Sequence, residues 1–580
     1  MTKKALLVIL CSALSFAAWS QSKVVELTIL QTSDIHGAFF PYDFIGNNPL
    51  NGSMARVSTA VKEARQNNPN LILLDNGDIL QGQPTVYYYN FIDTITEHLY
   101  FRVMDYLKYD AAGVGNHDIE AGHSVYDKIV KGSKHPILSA NAVRTDNGEP
   151  YFKPYTIIER DGVKVAVIGL ITPAIPKWLP ESIWSGMYFE DMQESAAKWV
   201  KIVQEKEKPH IIIGLFHAGH SYTYSGEDEN TPKNENASLL VAKNIPGFDA
   251  IFIGHDHDRY INTIVNTAGD SVIILDPSNN GKFISELSLH VTLENGKLKS
   301  KKANGRLIDT KDIGIDQAFM QAFAQDYQKV EEFVSRQVGT ITQSVSSRPA
   351  FFGPSEFIDL IHRIQLDITG ADISFTAPLS FSTEIEQGPI YVSDMFKLYR
   401  YENLLYTMEL TGKEIDGFLE HSYAIWTNRM KNENDHLLLL RQQEEMRNGR
   451  LANPFYNFDS AAGITYTVDV SKPAGDRVTI MTTYDGSPFV EDKTYKVAIN
   501  SYRGNGGGGH LTEGAGIANE ELSKRIITST DKDLRYYLMQ WIEQQRVVTP
   551  SLLNAIEWSF IPVEWTIPAA KRDYELLFGE

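Results

Sequence analysis

The feature that most constrains this chain is a series of short apolar runs, several of which are followed closely by aspartate or histidine. Short apolar runs bounded by turn residues are typical of buried strands. Ligand sites in α/β sheets collect beyond the carboxyl ends of such strands. The sequence therefore predicts an α/β fold with a polar site at one sheet edge, built on runs at 24–30, 71–74, 163–170, 211–216, 250–253 and 272–275.

Five short motifs occur in order along the same part of the chain, and all combine carboxylate, amide or imidazole side chains. They are Asp34-Ile35-His36, Asp75-Asn76-Gly77-Asp78, Gly115-Asn116-His117-Asp118, His217-Ala218-Gly219-His220 and Gly254-His255-Asp256-His257. Two divalent ions about 3.5–4 Å apart need a bridging carboxylate and several nitrogen and oxygen ligands, which these motifs supply. Because side chains two residues apart share one face of a strand, we expect the Asp-x-His and His-x-His pairs each to point one way.

The order of these motifs resembles the calcineurin-like metallophosphoesterases. The nearest branch is the exported 5′-nucleotidase / 2′,3′-cyclic-nucleotide 2′-phosphodiesterase family, and the resemblance extends over nearly all of residues 21–580. It implies an α/β (α+β) architecture, in which a four-layer metallophosphoesterase sandwich domain is followed by a smaller α/β nucleotide-binding domain. It also implies metal-dependent hydrolysis of nucleotide phosphate esters, by in-line attack of a water activated by the metals.

The resemblance implies seven metal ligands and two divalent metal ions. One ion is expected at Asp34, His36 and His257, the other at Asn116, His217 and His255, and Asp78 is expected to bridge both. Mixed imidazole and oxygen ligands accept zinc, manganese, iron or cobalt, so the sequence does not name the metal.

His117 is implied to be a catalytic residue that donates to the phosphate, with Asp118 holding its ring. Arg56 lies in a segment that resembles a family motif near the site, and it is expected either to support phosphate or to support the fold. Four further residues flank the motifs without a ligand role in the family, and we expect them to support the ligands or face solvent: Asp75, His220, Asp256 and Asp258.

The carboxyl half resembles the 5′-nucleotidase C-terminal domain, in which two aromatic rings sandwich the base. Phe458 and Tyr502 stand at the matching positions, although aromatic rings are also common in domain cores. Arg503 is expected to be either a cation that meets the substrate or an ordinary surface arginine.

One departure from 5′-nucleotidases bears on the substrate. Ser382 falls where those enzymes carry an arginine that meets the substrate. We therefore expect 2′,3′-cyclic-nucleotide 2′-phosphodiesterase/3′-nucleotidase activity, with 5′-nucleotidase/UDP-sugar hydrolase activity as the alternative. A relative of the sulfur-oxidising thiosulfohydrolases and a non-catalytic exported nucleotide-binding protein are further alternatives.

An amphipathic pattern marks the junction between the two halves. Apolar residues recur at three- and four-residue spacing over 315–338, which predicts one helix. We expect a catalytic domain at 21–310, a linker helix within 311–345 and a substrate-binding domain at 346–580. A polar insertion at 428–450 is expected to be rich in helix.

The amino terminus and the charge suggest where the protein acts and on what. Lysines precede an apolar run over 5–18, and small residues precede position 21, which is typical of a signal peptide cleaved near Ser20. We expect a periplasmic or secreted protein without an integral membrane span. A net charge of −19 disfavours binding to nucleic-acid polymers but permits a small nucleotide substrate. The oligomeric state stays open.

Overall fold

The computed structural model describes residues 22–441, 450–552 and 558–579. The predicted signal peptide at 1–20 and part of the polar insertion lie outside these residues. Within the three described ranges, no helix has both the length and the apolar character that crossing a membrane requires.

The first domain is built on two six-stranded sheets. In spatial order, the first sheet contains Lys297–Asp309, Phe283–Glu294, Ser22–Thr32, Leu71–Asp75, Ala111–Gly113 and Ile137–Leu138. The second contains Arg259–Val265, Ser271–Pro277, Ala250–Ile253, Ile211–His217, Val163–Ile171 and Tyr155–Arg160. All six apolar runs predicted as strands lie in these sheets, so that prediction is confirmed.

The two sheets pack face to face. Ile29 of the first sheet and Val167 and Ile213 of the second are fully buried in one shared apolar cluster. Helices cover the outer faces, with Met54–Asn67 and Leu99–Leu107 over the first sheet and Met192–Lys206 and Ser238–Asn244 over the second. The predicted four-layer sandwich is therefore confirmed.

Smaller elements complete this domain. The remaining helices are Pro84–Tyr87, Asn116–Glu120, His123–Gly132 and Glu181–Trp184, and two-stranded ribbons pair Tyr42–Asp43 with Asn48–Pro49 and Ala142–Arg144 with Met187–Phe189.

Strand direction brings the five motifs to one edge of the sandwich. Ser22–Thr32 runs parallel to Leu71–Asp75, which runs parallel to Ala111–Gly113. In the other sheet, Ile211–His217 runs parallel to Ala250–Ile253. Because the carboxyl ends of parallel strands meet at the same edge, the residues that follow each strand converge there.

The connector between the domains is two helices, Gln317–Ala322 and Ala324–Val334, so the prediction of one continuous helix is wrong. The backbone leaves helical geometry at Phe323, where φ is −112° and ψ is 19°. The apolar side chains of both helices still pack into the core of the first domain, which explains the unbroken sequence pattern. Val338 belongs to the next strand, Gln337–Ile341.

The second domain is a smaller α/β unit around a five-stranded sheet. Its sheet contains Ser460–Ala462, Ile373–Thr376, Thr494–Asn500, Leu405–Thr411 and Ile526–Ser529. Smaller sheets join Val478–Thr483, Ile464–Asp469 and Trp558–Ile561, then Gly388–Tyr391, Gln337–Ile341 and Val547–Val548, and also Val345–Ser346 with Glu384–Ile385. Its helices are Glu356–Thr369, Val392–Leu398, Gly412–Trp426, Ser501–Gly504, Asn519–Leu522, Leu534–Gln545 and Val563–Phe578.

The prediction of a helix-rich polar insertion is tested only in part, because residues 442–449 lie outside the described residues. Its described residues, 428–441 and 450, form turns and isolated strand bridges and contain no helix. Leu437 and Leu438 are buried in the domain core, and their N–H groups donate to the Asp573 carboxylate at 2.8 and 3.0 Å. These two anchors hold the backbone extended at Leu437 and Leu438.

A buried polar cluster joins the two domains. The Tyr87 hydroxyl of the first domain donates to Asp533 Oδ2 of the second at 3.1 Å. The Arg535 guanidinium lies over the rings of Tyr87 and Phe396, 4.9 and 4.0 Å from their centroids. Glu402 is 3.6 Å from Arg535 Nη1, but its two carboxylate oxygens are buried without a hydrogen-bond donor among the described residues. Desolvation outweighs that single distant cation, and burial raises the pKa of Glu402 to about 8.

This pKa makes the stability of the protein depend on pH. The Glu402 carboxyl ionises near its ordinary value of 4.5 in the unfolded chain but near 8 in the folded chain. Its ionisation therefore destabilises the fold progressively as pH rises from about 5 to about 8. At pH 8.5 we expect the free energy of unfolding of Glu402→Gln, measured in urea, to exceed that of wild type by at least about 1 kcal/mol. The difference should be smaller at pH 5. Glu409→Gln, at an exposed position, is the control. A difference that does not change with pH would contradict this role for Glu402.

Candidate metal centre

The predicted ligands leave their strands through left-handed turns. Five of them have positive φ angles, which side chains other than glycine rarely adopt: Asp34 (52°), His36 (49°), Asp78 (55°), His255 (84°) and His257 (57°). Backbone hydrogen bonds between motifs hold two of these turns, from Asp34 N to Gly77 O and from His36 N to Asp78 O, at 3.0 and 2.9 Å. The expectation that strand alternation aligns each pair is wrong, because both pairs lie beyond their strand ends.

The predicted ligands of the first ion lie together. His257 Nε2 is 3.4 Å and His36 Nε2 is 4.0 Å from Asp34 Oδ1. The two imidazole nitrogens are 2.9 Å apart. One nitrogen or oxygen atom from each residue could therefore face a common point.

The remaining predicted ligands join the same cluster. His217 Nε2 is 3.1 Å from Asp78 Oδ2 and 4.0 Å from Asp34 Oδ1. Asn116 Oδ1 is 2.8 Å from His255 Nδ1, and the His255 ring is 5.5 Å from the His217 ring. Asp34 is the carboxylate common to both metal-ligand triads in this region. The bridging role of Asp78 stays a prediction.

The hydrogen bonds of the rings fit metal binding. His36 Nδ1 is 3.1 Å from Gln81 O, and His217 Nδ1 is 2.8 Å from Asn76 O. Since a carbonyl oxygen only accepts, both Nδ1 atoms carry hydrogen and both Nε2 atoms can offer a lone pair to a metal. His217 Nε2 and Asp78 Oδ2 are buried and face each other at 3.1 Å, with no other hydrogen-bond partner among the described residues. A cation between them would satisfy both atoms.

The charges in this cluster are strongly coupled. Burial would raise the pKa of Asp34, but His217 and His257 lower it to about 2, so the carboxylate is ionised at neutral pH. Burial, reinforced by His257, lowers the pKa of His36 to about 3. An ionised carboxylate and a neutral imidazole are the forms that bind metals.

The partner of His117 is Glu120, which corrects the prediction that Asp118 holds this ring. His117 Nδ1 contacts the Glu120 carboxylate. In a helical turn, residues three apart face each other and adjacent residues do not. His117 therefore contacts Glu120 and not Asp118. Burial lowers the pKa of His117, but Asp78 and Glu120 outweigh it and raise the pKa to about 9. These two carboxylates favour the protonated form of the ring.

Asp118 instead ties two motifs together. It is buried, and each of its carboxylate oxygens accepts two backbone hydrogen bonds at 2.8–3.0 Å. The donors are the N–H groups of Asp78, Gly115, Ile79 and Leu80. Asp118 therefore fixes the loop that carries Asp78.

Glu235 is a site residue that the sequence analysis missed. Its Oε1 lies 3.2 Å from His255 Nε2, so it can orient the ring whose Nδ1 faces Asn116. Trp178 stacks against the same ring, with centroids 5.6 Å apart. Neither residue belongs to a motif, and no local pattern distinguishes them from other loop residues.

Two other expectations are resolved by hydrogen bonds. Arg56 Nη1 donates to Ile313 O at 2.5 Å and to Lys311 O at 3.3 Å, so Arg56 supports the segment before the connector. Asp75 is buried and accepts from Thr32 Oγ1 at 2.6 Å, which makes it a supporting residue.

Phe458 and Arg503 do not face a ligand, which corrects two predictions. Phe458 is fully buried and stacks on Trp426 in the domain core, with centroids 5.4 Å apart. Arg503 is 1% exposed, and its Nη2 lies 2.6 Å from Asp459 Oδ2. It also donates to the carbonyl oxygens of Tyr456 and Gly507 and to the Asn457 side chain, and it lies 5.2 Å from the centroid of the Tyr502 ring. The guanidinium thus fixes two loops to each other.

Tyr502 remains partly exposed, as does Tyr456 two residues before Phe458. The two tyrosines interact electrostatically with each other and with Tyr224 of the first domain. Tyr401 packs against Tyr456, with ring centroids 6.1 Å apart. Tyr502 also interacts with Glu235, the partner of His255. Tyr456 and Tyr502 therefore lie near Tyr224 of the first domain, and Tyr502 lies near Glu235.

Comparison with known proteins bears on both domains. Residues 27–259 match the calcineurin-like phosphoesterase family, and residues 337–513 match the 5′-nucleotidase C-terminal domain. The chain is 29% identical to the trifunctional nucleotide phosphoesterase protein YfkN of Bacillus subtilis over 94% of this chain, but it spans only 40% of that relative. It is 25% identical to a 2′,3′-cyclic-nucleotide 2′-phosphodiesterase/3′-nucleotidase of Yersinia enterocolitica, over 83% of this chain and 81% of that protein.

A solved structure shows the same fold. The 5′-nucleotidase precursor from Thermus thermophilus superposes with a TM-score of 0.62 at 23% identity, covering 92% of this chain and 99% of that one. At this identity, the likeness shows the fold of both domains and does not indicate the substrate.

The corrected roles of Asp118 and Glu120 predict different effects on stability. In Asp118→Asn, an NH₂ group replaces one carboxylate oxygen. Whichever way the amide is oriented, this NH₂ group would face two backbone N–H donors. We expect Asp118→Asn to lower the free energy of unfolding by about 2 kcal/mol. Glu120→Gln keeps one acceptor oxygen for His117 Nδ1, and we expect it to lower the free energy of unfolding by less than Asp118→Asn does. Urea unfolding in the presence of a chelator measures both variants, and equal losses would contradict these assignments.

Proposed function

Since the chain belongs to the metallophosphoesterases that carry a 5′-nucleotidase C-terminal domain, we propose that it hydrolyses nucleotide phosphate esters at a two-metal centre. The observation that carries this proposal is the convergence of seven predicted ligands from five separate motifs, with Asp78 Oδ2 and His217 Nε2 buried, facing each other and lacking any other hydrogen-bond partner among the described residues. The apolar run at 5–18 supports action outside the cytoplasm.

The protein residues have separate roles in this reaction. Asp34, His36 and His257 would hold one metal, and Asn116, His217 and His255 the other, with Asp78 between them. The bound metals would supply Lewis acidity and activate the attacking water.

The protonated His117 ring, oriented by Glu120, donates to the phosphate as negative charge develops on its oxygens. Glu235 orients the His255 ring. Asp118 keeps the Asp78 loop in place through its four backbone hydrogen bonds.

The second domain would bind the nucleoside through Tyr502 and Tyr456, with Tyr456 taking the place that the sequence suggested for Phe458. Both rings are accessible, whereas Phe458 is buried. Stacking of a base on such rings contributes about 1–3 kcal/mol and tolerates any base. The interaction of Tyr502 with Glu235 is consistent with a nucleoside held next to the metal ligands.

Among phosphate esters, 2′,3′-cyclic nucleotides and 3′-nucleotides are the substrates we favour. Ser382 replaces the arginine of 5′-nucleotidases, and Arg503 is committed to Asp459. The relative from Yersinia enterocolitica carries this activity in its name. A 5′-nucleotidase is the alternative, because residues 337–513 match the C-terminal domain of that family.

A substrate panel tests the proposed reaction. We expect ring opening of 2′,3′-cyclic AMP to 3′-AMP, and phosphate release from 3′-AMP, each to be faster than phosphate release from 5′-AMP, and a chelator to abolish all three reactions. Asp78→Asn should lower kcat at least about 100-fold, and Glu120→Gln about 10- to 100-fold with little change in KM. Glu409→Gln serves as the surface control. Nucleotide binding without turnover in metal-loaded protein would favour a non-catalytic binding protein.

Tyrosine variants test the nucleoside site separately. We expect Tyr456→Ala and Tyr502→Ala each to raise KM for 2′,3′-cyclic AMP about 5- to 100-fold, because a stacking surface is lost. The rate with p-nitrophenyl phosphate, which has no base, should stay near wild type. Phe458→Leu, a change in the buried core, should leave both KM values unchanged. Equal losses on both substrates would assign the tyrosines to the fold.

A further inference from the structure

A loop of the first domain reaches the tyrosines of the second. The loop covers 218–236 and begins directly after the predicted ligand His217. Tyr224 opens a short helical turn in this loop, and its side chain is 42% exposed. Its hydroxyl shares a hydrogen bond with that of Tyr456, and it also interacts electrostatically with Tyr502. An exposed tyrosine of the first domain thus meets the two rings proposed to bind the nucleoside.

Hydrogen bonds within the loop hold Tyr224 in this position. Asn234 is 1% exposed, and its Nδ2 donates to Tyr222 O at 2.7 Å and to Asp228 O at 3.1 Å. These two carbonyl groups lie on either side of Tyr224 in the chain, so one buried side chain closes the turn that carries it. A loop that is already ordered loses less conformational entropy when a ligand binds.

The other end of the loop supports the candidate metal centre. Glu235 Oε1 lies 3.2 Å from His255 Nε2, and the Glu235 N–H donates to Glu227 Oε2 at 2.8 Å. Glu235 also interacts electrostatically with Tyr502. A nucleoside in contact with Tyr224 and Tyr502 would therefore lie beside the metal ligands, where the ester that is cleaved has to be.

The chemistry of Tyr224 differs from that of a stacking surface. A tyrosine hydroxyl has one donor hydrogen and two acceptor lone pairs, so the bond between Tyr224 and Tyr456 does not exhaust either group. Stacking on the rings of Tyr456 and Tyr502 would tolerate any base. A hydroxyl approaching from the first domain adds a directed hydrogen bond, which depends on the polar atoms of the ligand.

We propose that Tyr224 is a specificity-determining residue, whose hydroxyl hydrogen-bonds the nucleoside of the substrate. This inference rests on the proposed function. It gives the catalytic domain a share in nucleoside recognition, which the sequence analysis placed entirely in the second domain. The nucleoside site is then complete only when both domains contribute to it, and a phosphate ester without a nucleoside gains nothing from Tyr224.

Removing one oxygen atom tests Tyr224 while its ring is kept. We expect Tyr224→Phe to raise KM for 2′,3′-cyclic AMP and 3′-AMP about 3- to 10-fold with little change in kcat, because one hydrogen bond to the nucleoside is lost. The rate with p-nitrophenyl phosphate should match wild type. The control Tyr222→Phe makes the same change on the same loop, in a ring that packs against the first-domain core, and should match wild type on all three substrates.

A second base shows which part of the nucleoside Tyr224 contacts. The increase in KM caused by Tyr224→Phe is compared between 2′,3′-cyclic AMP and 2′,3′-cyclic UMP. Unequal increases would place the hydroxyl at the edge of the base, and equal increases would place it at the ribose. Both results support the assignment of Tyr224 to the nucleoside.

Binding without turnover separates this inference from the proposed function. With a chelator present, we expect Tyr224→Phe to weaken binding of 3′-AMP about 3- to 10-fold in calorimetric titration, and Tyr222→Phe to leave it unchanged. Metal-loaded wild type that binds 3′-AMP without hydrolysing it would contradict the proposed function alone, and wild type that does neither would contradict both. Unchanged KM and affinity in Tyr224→Phe, or equal losses with p-nitrophenyl phosphate, would overturn the inference and leave Tyr224 as a contact between the domains.

Discussion

The structure of the first domain depends on compensating the charge of two buried carboxylates. Asp34 and Asp78 are 0 and 1% exposed at the edge where two sheets end. An ionised carboxylate cannot be buried without nearby positive charge or several donors. The surrounding imidazoles meet part of this need, and His217 Nε2 lies 3.1 Å from Asp78 Oδ2. Parallel strands, left-handed turns and the Asp118 hydrogen bonds all serve to keep these groups together.

Much of this arrangement could be predicted because its signals are local. An apolar run is buried wherever it folds, and parallel strands carry the residues after them to one edge. The apolar runs therefore predicted the strands and the edge that carries the site, and the family resemblance of the five motifs implied the layers and the residues that meet. The positive φ angles of residues such as Asp34 and His255 were not predictable, since the sequence shows ordinary aspartates and histidines there. They depend on hydrogen bonds between distant loops.

The errors arise where a choice depends on side-chain direction or on distant packing. Asp118 and Glu120 are both acidic and close to His117, and the pitch of one helical turn decides between them. Phe458 and Tyr456 are both aromatic, and only the position of Trp426 shows which one is core. The break at Phe323 leaves no trace in the apolar pattern, because both helices turn the same side to the core.

The burial of Arg503 has a consequence for how this protein could change during evolution. Its guanidinium is committed to Asp459 and to loop carbonyls, so under the proposed function recognition in the second domain would fall to the faces of tyrosine rings. The reacting groups all belong to the first domain. Mutations around the tyrosine rings could therefore alter which nucleosides are accepted while the proposed metal ligands and His117 stay unchanged. The substrate specificity of this fold could therefore change without a change in the residues that carry out the reaction.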